Sequence, residues 1–131
     1  MFHRVTIIGF VGMDPEMRYT PDGTPVCNFS VATRQVVSKE RVADCPAGWK
    51  DSLNGKNWEL TTWFRVTCWR KLAEAVNQYM AKGAQVFVAG EVKGEAVDGS
   101  QTPRVWQGND GAHRASSEGT ARTVTFLGKR E

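Results

Sequence analysis

At 131 residues the chain has room for one domain with a moderate core, and its 40% apolar and 24% charged content is ordinary for a soluble globular protein. No apolar run approaches the ~18 residues that a membrane-spanning helix needs. Met-Phe-His-Arg-Val lacks the layout of a signal peptide, so an intracellular protein is expected. The net charge of +3 is too small for bulk electrostatics to define a partner, and the placement of the charges matters more.

Residues 4–12 read as a first strand, which Asp14-Pro15 interrupts; Met17 to Thr20 continue it as a short arm. Pro21-Asp22-Gly23-Thr24 is a turn: proline presets φ and glycine accepts a positive one. A second strand from about Val26 to Val37 alternates Cys27, Phe29 and Val31 with Asn28, Ser30, Ala32 and Arg34. Ser38 to Lys56 has mixed charge and no sustained period, as expected of a long loop or hairpin tip.

The third strand spans roughly Asn57 to Trp69 and has two different faces. Phe64, Val66 and Cys68 share a core face, and Trp58 has the same parity, so it is expected to pack against the body of the domain. Trp63, Arg65, Thr67 and Trp69 share the other face: two indoles separated by a cation and a hydroxyl. Aromatics interleaved with positive charge suit single-stranded nucleic acid, whose bases stack and whose phosphates pair. Packing of Trp63 and Trp69 under a loop or a second subunit is the competing explanation.

From Arg70 to Lys82 the period changes to that of a helix, with Leu72, Ala75, Val76, Tyr79 and Met80 on one face. Lys82 suits its negative end, and Gly83 is expected at the left-handed position after its last turn. A fourth strand follows over 85–92, then a loop over Lys93 to Pro103. Arg104–Gln107 and Ala112–Ser117 form two arms of a hairpin around Asn109-Asp110-Gly111. The last strand covers Ala121 to Leu127, with Val124 and Phe126 inward.

Three strands, a helix and two more strands make an all-β chain with one helix between strands three and four. That order matches a five-stranded Greek-key barrel of the OB type.

Individual motifs sharpen this. Val5 to Tyr19 (VTIIGFVGMDPEMRY) resembles the opening of bacterial and mitochondrial single-stranded DNA-binding proteins. So do Thr62-Trp63-Phe64-Arg65-Val66, Trp69 to Glu74, Tyr79 to Gly83, Val86 to Glu91, Trp106-x-x-x-Asp110-Gly111 with Arg114-Ala-Ser, and Ala121 to Gly128. The resemblance runs through nearly the whole chain in the right order. It implies one OB-fold DNA-binding domain over residues 1–131, assembled as a homotetramer that binds single-stranded DNA without sequence preference in replication, recombination and repair.

Carried over by position, Trp63, Trp69 and Trp106 match the family's stacking aromatics; Trp69 stands where many members have phenylalanine. Arg4, Arg65, Lys71 and Lys93 match or approximate its basic positions. Arg34, on the outward face of strand two, and Arg104, on one face with Trp106, complete the candidate set. There are departures: Val37 where many members have tryptophan, Phe64 where histidine is frequent, and insertions in 38–56 and 93–103. Bacterial members usually continue into a flexible tail with an acidic tip that recruits replication and repair proteins. The given sequence ends at Gly128-Lys-Arg-Glu131 and no such tail is expected in it.

The bacterial cytoplasm is the expected location, with the mitochondrial matrix as alternative. A primosomal OB-fold adaptor for replication restart is the alternative function; the Trp106 region argues against it. Cys27 and Cys68 are expected as small core hydrophobes and Cys45 as exposed. His3 and His113 lack ligand spacing, so no metal, cofactor or catalysis is assigned. Trp49 either stacks on a base or anchors its loop, and Phe10 either touches DNA or a neighbouring subunit.

Overall fold

The computed structural model describes residues 1–129; the expectation about the chain's end falls partly on Arg130 and Glu131, outside the described residues. In chain order the elements are β1 (Val5–Val11), β2 (Glu16–Tyr19), β3 (Pro25–Ser38), β4 (Lys50–Asp51), β5 (Asn57–Trp69), α1 (Arg70–Tyr79), β6 (Ala84–Lys93), β7 (Glu95–Val97), β8 (Ser100–Thr102), β9 (Val105–Gln107), β10 (His113–Ala115) and β11 (Ser117–Lys129).

Five of these strands close on themselves. β1 pairs antiparallel with both β3 and β6, β6 with β11, and β3 with β5, while β5 and β11 run parallel and complete the ring. With α1 between β5 and β6, this is the five-stranded Greek-key OB barrel. Its interior follows from the period-two alternation: Ile7 and Val11 from β1, Cys27, Phe29 and Val31 from β3, Val66 and Cys68 from β5, and Val86 and Val88 from β6. Ala73, Val76 and Met80, at helical spacing, join the same core. Closure brings backbones very close. A β-carbon on Gly9 would collide with the Ala32 carbonyl, so glycine is required there.

The turn between β2 and β3 has Gly23 at φ +87°, with its N–H donating to the Thr20 carbonyl at 2.8 Å. The 38–56 segment is a loop apart from the short β4, which adds to the edge of β5.

Four details differ from the sequence reading. Residues 93–103 fold into the β7–β8 hairpin, turned by Asp98 (φ +50°) and Gly99 (φ +77°); this Asp-Gly pair fits a type I′ turn. The helix ends at Tyr79, with Met80 already extended. Gly83 keeps its positive φ, but four residues beyond the end of the helix, where its N–H donates to the Val11 carbonyl at 2.8 Å and leads the chain into β6. Phe126 is not inside the barrel. Beside a register irregularity near the end of β11, it is 41% exposed and meets Tyr79 edge-on, centroids 6.5 Å apart. Trp58, finally, is a loop anchor rather than a body contact: its Nε1–H donates to the Val42 carbonyl at 2.8 Å, and Lys39 Nζ lies 4.2 Å from its ring centroid.

Candidate nucleic-acid interface

The outer face of β5 carries its side chains in strand alternation: Trp63 is 54% exposed, Arg65 is exposed and Trp69 is 39% exposed. Directly across on β3 stand Ala32 opposite Trp63, Ser30 opposite Arg65 and Asn28 opposite Thr67. These partners are small, so the aromatic strand borders a shallow floor instead of a second ridge.

Thr67 departs from its neighbours and is only 3% exposed. Its hydroxyl donates to Asn28 Oδ1 at 2.8 Å and accepts from Lys93 Nζ at 3.3 Å. The hydroxyl is therefore internal glue, and it holds the Lys93 ammonium on the same face as the indoles.

Trp63 is fixed from β1's end. A β-carbon on Gly12 would lie within contact distance of Cζ3 and Cη2 of the indole, and Gly12 N–H donates to the Ser30 carbonyl at 3.0 Å. Trp69 borders an open groove shared with Thr20, Pro21, Asp22, Thr24 and Arg70. Arg70 enters the helix at φ +58°, an unusual conformation for a residue with a side chain. In the same turn the Thr20 hydroxyl donates to the Asp22 carboxylate, as does Thr24 N–H at 3.2 Å; these bonds hold the Asp22 pKa below its ordinary value.

Trp106 sits on the β9–β10 hairpin, 38% exposed and opposite Arg114, which pairs with Asp110 at 2.8 Å. Arg104 lies over its ring, 4.6 Å from the centroid. The same guanidinium bonds Glu118 Oε2 at 3.1 Å, and that carboxylate side chain is only 9% exposed. Arg104 is thus a strut between the barrel and the indole. Arg4, Arg34 and Lys71 are exposed on the N-terminal segment, β3 and α1. Among the described residues none of these three, nor Arg65, makes an ion pair. Trp63, Arg65, Trp69 and Lys93 are brought together on or beside one strand face, whereas Trp106 and Arg104 belong to a separate hairpin.

Sequence reading missed Gly12, Asn28 and Glu118. A glycine at a strand end is a signal for close backbone approach and was available for Gly12. Nothing in the sequence marks Glu118 as nearly buried. Cys27 and Cys68 are buried and directly opposite each other, and burial pushes the Cys68 thiol up to about 12. Cys45 is exposed. His3 Nε2 accepts the Val92 N–H at 3.1 Å. Among the described residues no group of His, Cys, Asp and Glu could hold a metal ion, and no helix is long and apolar enough to cross a membrane.

The Single-strand binding protein family matches residues 2–127. The chain belongs to that family. Two curated relatives, both named single-stranded DNA-binding protein, come from Neisseria meningitidis serogroup A (serotype 4A) and serogroup B; each is 38% identical over 128 residues. The match covers 98% of this chain and 61% of each relative, so the chain spans about three-fifths of their length. Among solved structures, the Plasmodium falciparum SSB complex with ssDNA superposes with a TM-score of 0.65 at 21% identity, covering 97% of this chain and 96% of that one. That likeness supports the OB fold of this family member.

Proposed function

We propose that this chain is a non-enzymatic DNA-binding domain that coats single-stranded DNA with little dependence on sequence. The observation that carries the reading is the outer face of β5, where Trp63 and Trp69 flank Arg65 in the open. Burying large aromatics is favourable, so two indoles left at the surface call for something to cover them. A nucleobase does so by stacking, worth ~1–3 kcal/mol each, and every base has a π face. Duplex DNA stacks its bases on one another and denies them to the indoles, which is the physical origin of single-strand preference. Arg4, Arg34, Lys71 and Lys93 contribute phosphate neutralisation, and Trp106 on its hairpin adds a third platform.

A homotetramer fits this reading. Ile8 on β1 and Phe87 on β6 face each other across paired strands on the outside of the barrel, with Ile8 53% exposed. A second copy is the occupant that would cover this apolar patch, and repeated sites would add avidity. Membership of the family favours a part in replication, recombination and repair, with the bacterial cytoplasm as the proposed location.

The test is a fluorescence titration with oligo(dT) and with duplex of equal length, beside sedimentation equilibrium of the free protein. Tight oligo(dT) binding with tryptophan quenching, and affinity falling by about 0.7 log units per log unit of salt for each phosphate neutralised, is expected. Equal affinity for duplex at ~0.2 M salt would refute the stacking mechanism.

A further inference from the structure

Beside Arg65, between β2 and β5, lies a concavity of about 150 Å³, of the order of one heterocyclic base. Met13, Asp14, Glu16, Asn28, Ser30 and Arg65 line it. Its floor follows from the sheet register: Glu16 is opposite Asn28, and Ser30 is opposite Arg65. Asn28 Oδ1 is already taken by the Thr67 hydroxyl, which leaves the amide Nδ2–H groups as its donors. Asp14 Oδ1 accepts the Lys82 N–H at 2.9 Å, and its Oδ2 has no hydrogen bond among the described residues. Glu16 has no ion pair there either.

Two carboxylates repel a phosphate, so the lining does not suit the DNA backbone, although Arg65 alone would. What suits it is a group presenting donors and acceptors side by side. A nucleobase edge has that character, and the pocket opens on the face that carries the indoles. Among the four bases guanine fits best. Its N1–H and N2–H₂ are adjacent donors that one carboxylate accepts together, and O6 and N7 are acceptors suited to a guanidinium.

We propose that Glu16, Arg65 and Asn28 form a base-edge pocket that gives this otherwise sequence-tolerant surface a preference for guanine at one nucleotide position. The proposal rests on the single-strand-binding reading above. It assigns Arg65 to a base and leaves phosphate neutralisation to the more isolated cations.

The experiment compares short thymidine oligonucleotides carrying one central deoxyguanosine, deoxyinosine or deoxyadenosine, titrated at fixed salt against the all-thymidine oligonucleotide. Deoxyguanosine should tighten binding by about fivefold or more, the lower end of what one bidentate contact discriminates. Deoxyinosine, which lacks the 2-amino group, should lose most of that gain. In Glu16→Gln the ratio of deoxyguanosine to thymidine affinities should fall to near one, because an amide presents a single acceptor and sets its own donor against N–H. Equal binding of deoxyguanosine and deoxyinosine, or a ratio that survives Glu16→Gln, would overturn the pocket while tight oligo(dT) binding stands. Failure of the all-thymidine oligonucleotide to bind would overturn the parent reading instead.

Discussion

The indole of Trp63 lies against the α-carbon of Gly12, so close that any β-carbon at Gly12 would overlap the ring. Gly12 directly follows β1, which lies on the far side of β3 from β5, so the stacking platform is set from a strand that contributes no aromatic ring to it. The backbone at Gly12 fixes the position of the ring, while Trp63 stays 54% exposed for a ligand. Such preorganisation lowers the ordering cost of binding.

Gly12→Ala is therefore expected to displace the Trp63 indole. Overpacking of this kind costs ~1–3 kcal/mol, and oligo(dT) affinity should fall with it. Gly12 does not have a positive φ, so the backbone tolerates alanine and the loss is attributable to the ring. The check is a double-mutant cycle with Trp63→Ala. With the ring gone, Gly12→Ala should cost almost nothing, and additive effects would show that the contact is not the cause.

Trp63→Ala and Trp69→Ala should each weaken oligo(dT) binding by roughly 1–3 kcal/mol with little change in salt slope, since no phosphate contact is removed. Trp58→Ala should do something different. It removes the hydrogen bond to Val42 and the Lys39 contact, so the 38–56 loop should become more protease-sensitive while DNA affinity is retained. Limited proteolysis beside the titrations separates the two; a loss of binding in Trp58→Ala as large as in Trp63→Ala would contradict the assignment.

Arg104→Met should uncouple Trp106 from the barrel. It leaves Glu118 nearly buried without its cation, a cost of about 1–3 kcal/mol in stability, and removes the group lying over the indole. Adding Glu118→Gln should restore much of the melting temperature but not the binding, because the strut is still missing. Full recovery of both in the double variant would assign Arg104 a purely structural role.

The cysteines give a pH dependence. Burial, with a smaller contribution from Cys27, pushes the Cys68 pKa up to about 12, so the folded chain keeps this proton where the unfolded chain, titrating near ~8.5, has released it. The unfolded state then binds fewer protons, and stability falls as pH rises between those values, by at most about 1.4 kcal/mol per pH unit for this one group. Denaturant unfolding in alkaline buffers should show this slope, and Cys68→Ala should lower it. Native protein should also expose only Cys45 to a thiol reagent; rapid reaction of all three cysteines would contradict the packing.

The chain's local chemistry carried a great deal. Alternation over 57–69 alone separated Phe64, Val66 and Cys68 from Trp63, Arg65 and Trp69, because a strand's period of two leaves no other arrangement. The change of period at Arg70 marked the helix, and the order of elements marked the barrel. The Asp98-Gly99 turn was equally legible, as a type I′ signal inside a segment read as loop.

Tertiary structure decided the rest, since parity says which way a side chain points but not what waits there. Thr67 has the exposed parity and is buried, because Asn28 and Lys93 converge on its hydroxyl from β3 and β6. Phe126 has the inward parity and is exposed, because it sits beside an irregularity in the register of β11 and meets Tyr79 of α1 edge-on. Trp58 was assigned to the domain's body and instead holds a loop, since Val42, its hydrogen-bond partner, lies sixteen residues away in a segment with no period to read. The base-sized hollow beside Arg65 exists only because closing the barrel sets β2 and β3 against β5. Local sequence determines faces and turns through short-range sterics; which faces meet is determined by long-range pairing, whose partners lie tens of residues apart.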